Sequence, residues 1–269
     1  MKEKILTQEI VKELGLDKVS VITADMLDGY TSIGCYAFAD CKSLTSVTIP
    51  DSVMSIGWCA FCDCSSLTSV TIPDSVTSIG NYAFYRCSSL TSISIPNGVT
   101  NLGMRAFSGC KSLVSIIIPN SVKTIGDFAF GGCTGLTSVA IDNSVKSIEY
   151  GTFKDCASLT SLTIGDKIYK QQIVTNGKCK AYKAFNGSMK CRGFQYKEGE
   201  TYELEGKPKL CERGFHACLN LADVFTYYWG KLGKDVFVHE VELEGATAER
   251  LKFDSKVVAG KITIGKRIL

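Results

Sequence analysis

Residues 55–73 read SIGWCAFCDCSSLTSVTIP, and residues 78–96 repeat that pattern as SIGNYAFYRCSSLTSISIP. The period is 23 residues, and six copies run without a miss over about residues 28–165. A fixed period of this length predicts a solenoid, because one such unit cannot bury its apolar face alone. Each copy carries a phenylalanine followed three residues later by a cysteine: Phe38 and Cys41, Phe61 and Cys64, Phe84 and Cys87, Phe107 and Cys110, Phe130 and Cys133, Phe153 and Cys156.

Each copy also contains a Leu-x-x-Val-x-Ile segment, as at Leu67, Val70 and Ile72. This spacing is typical of the strand of a leucine-rich repeat. We therefore predict a parallel leucine-rich-repeat solenoid with one short strand per 23-residue repeat. Its core is expected to consist of aligned Phe, Leu and Ile side chains.

The full pattern of a copy, Gly-x-x-Ala-Phe-x-x-Cys-x-Ser-Leu-x-Ser-Val-x-Ile-Pro, resembles the BspA-like leucine-rich repeat family of bacterial and protist proteins. The resemblance covers about residues 28–165. Members of that family are commonly surface proteins that bind matrix proteins or other cells. The resemblance therefore implies a solenoid that binds proteins.

Composition and apolar runs narrow the class of protein. A chain of 269 residues with 45% hydrophobic and 21% charged residues is typical of a globular protein. Apolar runs are as short as Ile116-Ile117-Ile118, which excludes a transmembrane helix or a signal peptide and predicts a cytoplasmic protein with no membrane contact. Thirteen cysteines cannot all pair within one chain, and we expect them to be mostly reduced.

The segment before the repeats predicts a helical cap over residues 1–27, since a solenoid must cover its apolar end. Ile5, Leu6, Ile10, Val11 and Leu14 recur at helical spacing, with Thr7 as N-cap and Gly15 as stop. A membrane-surface helix is the alternative. The polar face mixes Lys with Glu instead of being basic, which favours the structural cap.

One edge of the solenoid is the predicted partner-binding surface. Strand residues between the core positions form an uncharged face of mostly Ser and Thr, which lacks the Trp, Tyr and Arg that dominate binding hot spots. The copies differ instead at the positions just after the glycine, and we predict that these side chains bind the partner. The alternative interpretation is that they pack on flanking turns. The predicted partner-binding residues are Tyr36, Trp58, Tyr82, Tyr85, Arg86, Met104, Arg105 and Phe128.

Cys59, Cys62 and Cys64 suggest a metal site by their spacing. The repeat register favours buried structural thiols instead. Cys64 belongs to the cysteine series, while the next copy has Tyr82 and Tyr85 at the positions of Cys59 and Cys62.

The period ends after Ile164, and the charge changes sign. Residues 1–165 carry 11 basic and 14 acidic residues, whereas residues 166–269 carry 19 basic and 13 acidic ones. We predict a basic connector over 166–180 and a small α+β domain over 181–269. Strands are predicted at 181–185, 194–196, 201–205, 236–243 and 256–264, with a helical or turn segment around 221–228.

Residues 167–197 carry eight basic residues and no acidic one, interleaved with aromatic residues. Such a segment is an alternative binding site for nucleic acid, because phosphates take the charge and bases stack on rings. The residues that would contact nucleic acid are Lys178, Lys180, Lys183, Lys190 and Arg192. The other interpretation is a solvated face over a small core.

About residues 180–269 resemble a domain of unknown function found in phage, prophage and related bacterial proteins. The stretches that carry this resemblance are Tyr182-Lys183-Ala184-Phe185, Cys191-Arg192-Gly193-Phe194-Gln195-Tyr196 and Cys211-Glu212-Arg213-Gly214-Phe215-His216-Ala217-Cys218. The resemblance implies a bacterial or phage origin and no particular activity.

Two sets of residues in this domain offer alternative chemistry. Cys191, Cys211, His216 and Cys218 are the ligand types of a zinc site, the one cofactor the sequence suggests. Arg192, His216, Glu240 and Glu242 fall in the order of ADP-ribosyltransferase elements, where a Glu stabilises an oxocarbenium charge. The preferred interpretation is a non-catalytic protein-interaction module without a cofactor, whose partner is a protein or peptide.

Overall fold

The computed structural model describes residues 3–170, 178–186, 190–191, 194–203, 215–218, 224, 236–244, 247–248, 256–259 and 261–267. The chain divides into two compact units, Met1–Ile168 and Tyr169–Leu269. The first unit contains the repeats, and the second contains the antiparallel sheet that follows them.

The first unit consists of short strands joined by turns, with one α-helix, α1 (Gln8–Glu13), and two 3₁₀ helices, Leu16–Lys18 and Ala24–Leu27. The strands in chain order are β1 (Ile5–Leu6), β2 (Val21–Ile22), β3 (Ser32–Ile33), β4 (Ser46–Thr48), β5 (Ser55–Ile56), β6 (Ser69–Thr71), β7 (Ser78–Ile79), β8 (Asn101–Leu102), β9 (Ser115–Ile118), β10 (Thr124–Ile125), β11 (Ser138–Ile141), β12 (Ser147–Ile148), β13 (Ser161–Ile164) and β14 (Lys167–Lys170).

These strands form sheets that follow the repeats. One sheet has the order β1-β3-β5-β7-β8-β10-β12, another β2-β4-β6, and a third β14-β13-β11-β9. Equivalent residues pair in parallel from copy to copy, as Val47 with Val70 and Val139 with Leu162. The predicted parallel solenoid is confirmed.

The structure adds a second strand to every copy, while the strand predicted in each copy is absent from the third, where residues 91–96 form no strand. The predicted strand forms as β4, β6, β9, β11 and β13, whereas the added strand is the residue pair before the glycine, as in β5 and β7. Two residues carry too little alternation to be recognised as a strand in a sequence. They form one because the copies stack in register.

The core is built from identical side chains stacked along the solenoid. The six phenylalanines lie in one column with ring centroids 5.2–5.8 Å apart and rings within 9° of parallel. Each is at most 1% exposed, as are Leu44, Leu67, Leu90, Leu113 and Leu136. Offset aromatic stacking adds about 0.5–1.5 kcal/mol per pair beyond the buried area.

A glycine at the position four residues before the phenylalanine, which we call the glycine slot, lets successive copies approach. The slot is filled in the first five copies, by Gly34, Gly57, Gly80, Gly103 and Gly126. A Cβ at Gly80 would lie 2.8 Å from the carbonyl carbon of Gly57, and one at Gly103 would lie 2.5 Å from that of Gly80. The sixth copy has Glu149 here, and the widest phenylalanine spacing, 5.8 Å, adjoins that copy.

From the second copy onward, the cysteine of each copy donates a hydrogen bond to the copy before it. Cys64 Sγ donates to the carbonyl of Phe38 at 3.0 Å, and Cys133 Sγ to that of Phe107 at 3.1 Å. The same hydrogen bond recurs at Cys87, Cys110 and Cys156. The thiols therefore satisfy backbone carbonyls inside the core, as well as filling space.

The N-terminal cap is shorter than predicted and begins differently. Thr7 is the N-cap, as predicted, and its hydroxyl accepts from the Ile10 amide at 3.4 Å. Gly15 follows the helix with φ of 68°, the left-handed conformation typical of a glycine stop. Ile5 and Leu6 are not helical, since β1 pairs with β3 and extends the sheet by one strand.

The second unit contains strands β15 (Lys178–Asn186), β16 (Lys190–Cys191), β17 (Phe194–Gln195), β18 (Thr201–Glu203), β19 (Phe215–Cys218), β20 (Val236–Glu244), β21 (Thr247–Ala248), β22 (Lys256–Ala259) and β23 (Lys261–Arg267). Seven form a sheet in the order β18-β23-β20-β15-β19-β22-β21, and β16 pairs with β17. The predicted strand at 256–264 is divided between β22 and β23. Of the predicted segment 221–228, the described part is Val224, which is helical and buried.

We expect Gly80→Ala to lower the free energy of unfolding by about 1–3 kcal/mol, because the new Cβ must displace the backbone of the preceding copy. Gly131→Ala is the matched control, since Gly131 is not left-handed, its Cβ would meet nothing closer than 3.3 Å, and the equivalent positions Ala39 and Ser108 already carry side chains. Urea unfolding followed by circular dichroism measures both. An equal loss in the two variants would show that close approach does not restrict the glycine slot.

Stability should fall above about pH 9, because burial raises the pKa of Cys133 to about 12 from an ordinary value of 9.0. The unfolded chain then releases the thiol proton while the folded chain keeps it, which costs up to about 1.4 kcal/mol per pH unit for each buried thiol. Urea unfolding at several values between pH 8 and pH 11 measures the slope. Cys133→Ala should give a shallower slope than the unaltered chain, and an identical slope would contradict the assignment.

Candidate functional site

The candidate site lies on the turns between the glycine slot and the cysteine of each copy, which we call the turn edge. Each turn contains two residues in the left-handed conformation, two positions before and two positions after the phenylalanine. In the first copy they are Tyr36 (φ 58°) and Asp40 (φ 60°), and in the third Tyr82 (φ 59°) and Arg86 (φ 57°). Non-glycine residues rarely adopt this conformation, so the stacking of the copies imposes it.

None of the eight predicted partner-binding residues is buried. Tyr36, Trp58 and Met104 are 38%, 44% and 36% exposed, and Arg86 is also exposed. Tyr82, Tyr85, Arg105 and Phe128 are half-buried. The structure therefore places all eight at the surface, and their binding of a partner stays a prediction.

Aromatic side chains form a continuous surface over the first three copies, which we call the aromatic strip (Tyr36, Trp58, Tyr82 and Tyr85). Tyr36 and Trp58 meet edge to face at 4.6 Å between ring centroids. Trp58 lies 6.4 Å from Tyr82, and Tyr82 lies 5.4 Å from Tyr85. Successive edge-to-face contacts hold these rings in place while leaving one face of the strip in solvent.

A groove of about 620 Å³ continues the turn edge from the second to the sixth copy. Its floor consists of small residues, and Asp63 stands at one end with Lys154 and Asp155 at the other. The floor exists because two adjacent copies have no large side chains where the neighbouring copies have them. The floor residues are Ser108, Gly109, Gly131 and Gly132.

The walls of this basic groove carry four cations and two carboxylates. Arg105 lies 5.0 Å from the ring of Phe128 and 5.8 Å from that of Tyr82, and Lys154 lies 5.9 Å from Phe128. Arg86 lies 4.9 Å from the Tyr85 ring and 4.0 Å from an oxygen of Asp63. The cations are Arg86, Arg105, Lys111 and Lys154, and the carboxylates are Asp63 and Asp155.

The sequence predicted Tyr85, Arg86, Arg105 and Phe128 of the walls, but not Lys111, Lys154, the two carboxylates or the floor. Gly109 and Gly132 have φ of 79° and 73°. Asp40, Asp63 and Arg86 adopt the same conformation at the equivalent position of other copies, so the backbone does not require glycine there. A comparison of equivalent positions for size, in addition to chemical variety, would have predicted the floor.

The predicted nucleic-acid residues are only partly described. Lys183 is 3% exposed and lies 5.7 Å from the rings of both Phe185 and Tyr196, so its assignment as a phosphate contact is wrong. Lys178, Lys180 and Lys190 lie on described strands, but the positions of their side chains lie outside the described part, as does all of Arg192.

Lys183 faces His239 across the pair of strands β15 and β20. His239 is 2% exposed, packs edge to face on Phe185 at 5.4 Å, and has Nδ1 3.7 Å from a carboxylate oxygen of Glu198. Alternation along β15 was the available signal, because Lys183 stands between the apolar residues Ala181 and Phe185 on one face.

The two sets of residues with alternative chemistry stay predictions. Cys211 of the zinc set and Arg192 of the ADP-ribosyltransferase set lie outside the described residues. Cys191, His216 and Cys218 have described backbones on β16 and β19, and the sheet order separates β19 from Glu240 and Glu242 on β20 by one strand. Among the side chains that the structure describes, no three of the His, Cys, Asp or Glu type gather to hold a metal ion.

The nine cysteines with described side chains, including Cys59, Cys62 and Cys64, are free thiols. Burial raises the pKa of Cys62 to about 12.

Across residues 3–170 and the described parts of the second unit, no helix has the length and apolar character needed to span a bilayer.

The model of the family described as "BspA type Leucine rich repeat region" matches residues 16–116 and 100–196, with six copies. The chain belongs to this BspA-type repeat family. Residues 179–269 match the model described as "Domain of unknown function (DUF7666)". No significant match was found among curated proteins. The association with phage proteins and the bacterial origin stay predictions.

Several solved structures of leucine-rich-repeat proteins are similar to the repeats. A leucine rich repeat protein of T. pallidum is 33% identical over 56% of this chain and 71% of that one, with a TM-score of 0.49. A leucine rich cell surface protein of Faecalibacterium prausnitzii is 30% identical over 55% and 52%, with a TM-score of 0.45. The pneumococcal vaccine antigen PcpA is 20% identical over 54% and 36%, with a TM-score of 0.47. The predicted cytoplasmic location stays a prediction.

We expect Gly132→Asp to fold with a free energy of unfolding within about 1 kcal/mol of the unaltered chain. The equivalent positions Asp40, Asp63 and Asp155 already hold aspartate in the same backbone conformation, and a Cβ at Gly132 meets no close atom. Urea unfolding measures the change. Gly103→Asp, in the glycine slot, is the contrasting variant and should lose several times more stability.

Proposed function

We propose that the repeats are a non-catalytic scaffold that binds a protein or peptide along the turn edge, through the aromatic strip and the basic groove. The observation that carries this proposal is the variation in the aromatic and cationic side chains at positions whose backbone is fixed from copy to copy. Side chains there are free of the stacking requirement that fixes the Phe, Cys and Leu positions. A leucine-rich-repeat solenoid is consistent with an interaction scaffold.

The chemistry of the edge supports binding of a protein. Binding hot spots are enriched in Trp, Tyr and Arg, and the edge presents Trp58, three tyrosines and two arginines. These side chains are held by ring and cation contacts before any partner arrives, which lowers the entropy lost on binding. The other candidate binding surface, the face formed by the strands, carries mainly Ser and Thr side chains.

The test is a pull-down from cell lysate with the immobilised full chain. It compares the proteins that this chain retains with those retained by a variant of the aromatic strip, Tyr36→Asn with Trp58→Ser. Asparagine suits the left-handed backbone at position 36. The matched control replaces two exposed apolar residues in and just before β9, Val114→Ser with Ile117→Ser, which are 52% and 72% exposed. Each retained protein is purified and its affinity for the three chains is measured by calorimetry.

We expect the strip variant to bind the purified partner roughly tenfold or more weakly, because truncating an anchoring aromatic residue costs about 2 kcal/mol or more. The affinity of the control variant should lie within about twofold of that of the unaltered chain, since isolated exposed apolar side chains contribute little to binding. Equal losses in both variants, or no partner that distinguishes them, would contradict the proposal.

A further inference from the structure

We infer that the basic groove is a binding site for an extended acidic peptide, supplied by a partner protein. This inference rests on the proposed function of the turn edge and specifies the chemistry of the segment that the groove accepts. Three properties of the groove carry it: its length, its small-residue floor and its charge.

The length of the groove fits an extended chain. The groove crosses four steps between copies, from the second to the sixth, and the phenylalanine column sets those steps at 5.2–5.8 Å. Four such steps span roughly 22 Å, the length of six or seven extended residues at about 3.3 Å each.

The floor lets a peptide backbone approach closely. Gly109, Gly131 and Gly132 present no side chain, and Ser108 presents a short one. The Tyr85 and Phe128 rings stand beside this floor. A peptide lying along the floor would place alternate side chains toward the walls, where the cations are.

The charge of the groove favours an acidic occupant. Four of the eleven basic residues within residues 1–165 line it, against two of the fourteen acidic ones. The groove is therefore net positive within a region that is net negative. Arg105 and Lys154 both lie near the Phe128 ring, so their positive ends border the floor. Complementary charge of this kind contributes specificity and association rate.

A peptide is favoured over a nucleic acid by the two carboxylates. Asp63 and Asp155 stand at opposite ends of the groove, where the backbone of a longer polyanion would have to pass. Phosphates occur at every nucleotide and would meet both carboxylates, whereas a short peptide can carry neutral residues at its ends. The number of cations also suits two or three acidic side chains.

The test uses the full chain and a fluorescein-labelled peptide, Gly-Glu-Ser-Glu-Ser-Glu-Gly, in which all glutamates fall on one side of an extended backbone. Its counterpart with glutamine in place of glutamate has the same shape without charge. Fluorescence anisotropy measures the dissociation constants. At about 20 mM salt the glutamate peptide should bind roughly tenfold more tightly than the glutamine peptide, and higher salt should reduce the difference.

Charge-reversed variants locate the site. Lys111→Glu with Lys154→Glu should weaken binding of the glutamate peptide by roughly tenfold or more. Lys42→Glu with Lys146→Glu changes the net charge equally on exposed residues outside the groove and should weaken it by less than about twofold. Gly132→Asp fills the floor with a carboxylate and should also weaken binding, which keeps the test valid if a lysine variant fails to fold.

Three results would overturn the inference: equal affinity for the two peptides, equal losses in the two pairs of lysine variants, or tighter binding of a labelled oligothymidylate of similar length. The two proposals fail separately. If a protein partner depends on Tyr36 and Trp58 while the glutamate peptide does not bind, the acidic-peptide inference is wrong and the turn edge remains the binding surface. If the peptide binds and no protein depends on those residues, the acidic-peptide inference stands and the proposed role of the aromatic strip is wrong.

Discussion

The contact between glycine slots of successive copies sets the geometry on which the rest of the repeat unit depends. A Cβ at Gly80 or Gly103 would lie within 2.8 Å of backbone atoms of the copy before it. At that closeness the two-residue strands pair, the phenylalanine rings stack and the cysteine thiols reach the preceding carbonyls. The sixth copy keeps the same three contacts without the glycine. The largest separation of rings adjoins the copy that has Glu149 in place of glycine.

The same stacking explains why variation is concentrated on the turn edge. Side chains in the Phe, Cys and Leu columns must match the copies on both sides, so changes there cost packing energy. Residues in the left-handed turns are held in an unfavourable backbone conformation, but their side chains are not part of the stacked Phe, Cys and Leu columns of the core. Tyr82, Arg105 and Phe128 therefore occupy one position in three different copies, and glycine, serine or aspartate can stand where a groove or a wall is formed.

In the second unit, a basic residue that the sequence places at the surface is buried in the structure. Its first thirty residues are strongly basic, yet Lys183 is buried beside His239, Phe185 and Tyr196. A lysine inside a small domain needs partners for its charge, and the aromatic faces on either side provide part of that environment. A count of basic residues therefore overstates the positive surface of this unit, since the strand register removes one of the five predicted contacts.

The sequence by itself determined the period, the solenoid, the buried Phe, Cys and Leu columns and the side chains that occupy the turn edge. It did so because every copy repeats the same short-range pattern, and residues 23 apart must be equivalent in a regular stack. Only the tertiary structure decided that Ile5 and Leu6 form a strand, since the partner of β1 is β3 in the first copy. It also decided the groove, because the small size of Gly109 and Gly132 can be read from the sequence but only the packing of adjacent copies makes them the floor of a concave site. It decided the burial of Lys183 as well, because a side chain's exposure depends on the strands packed around it.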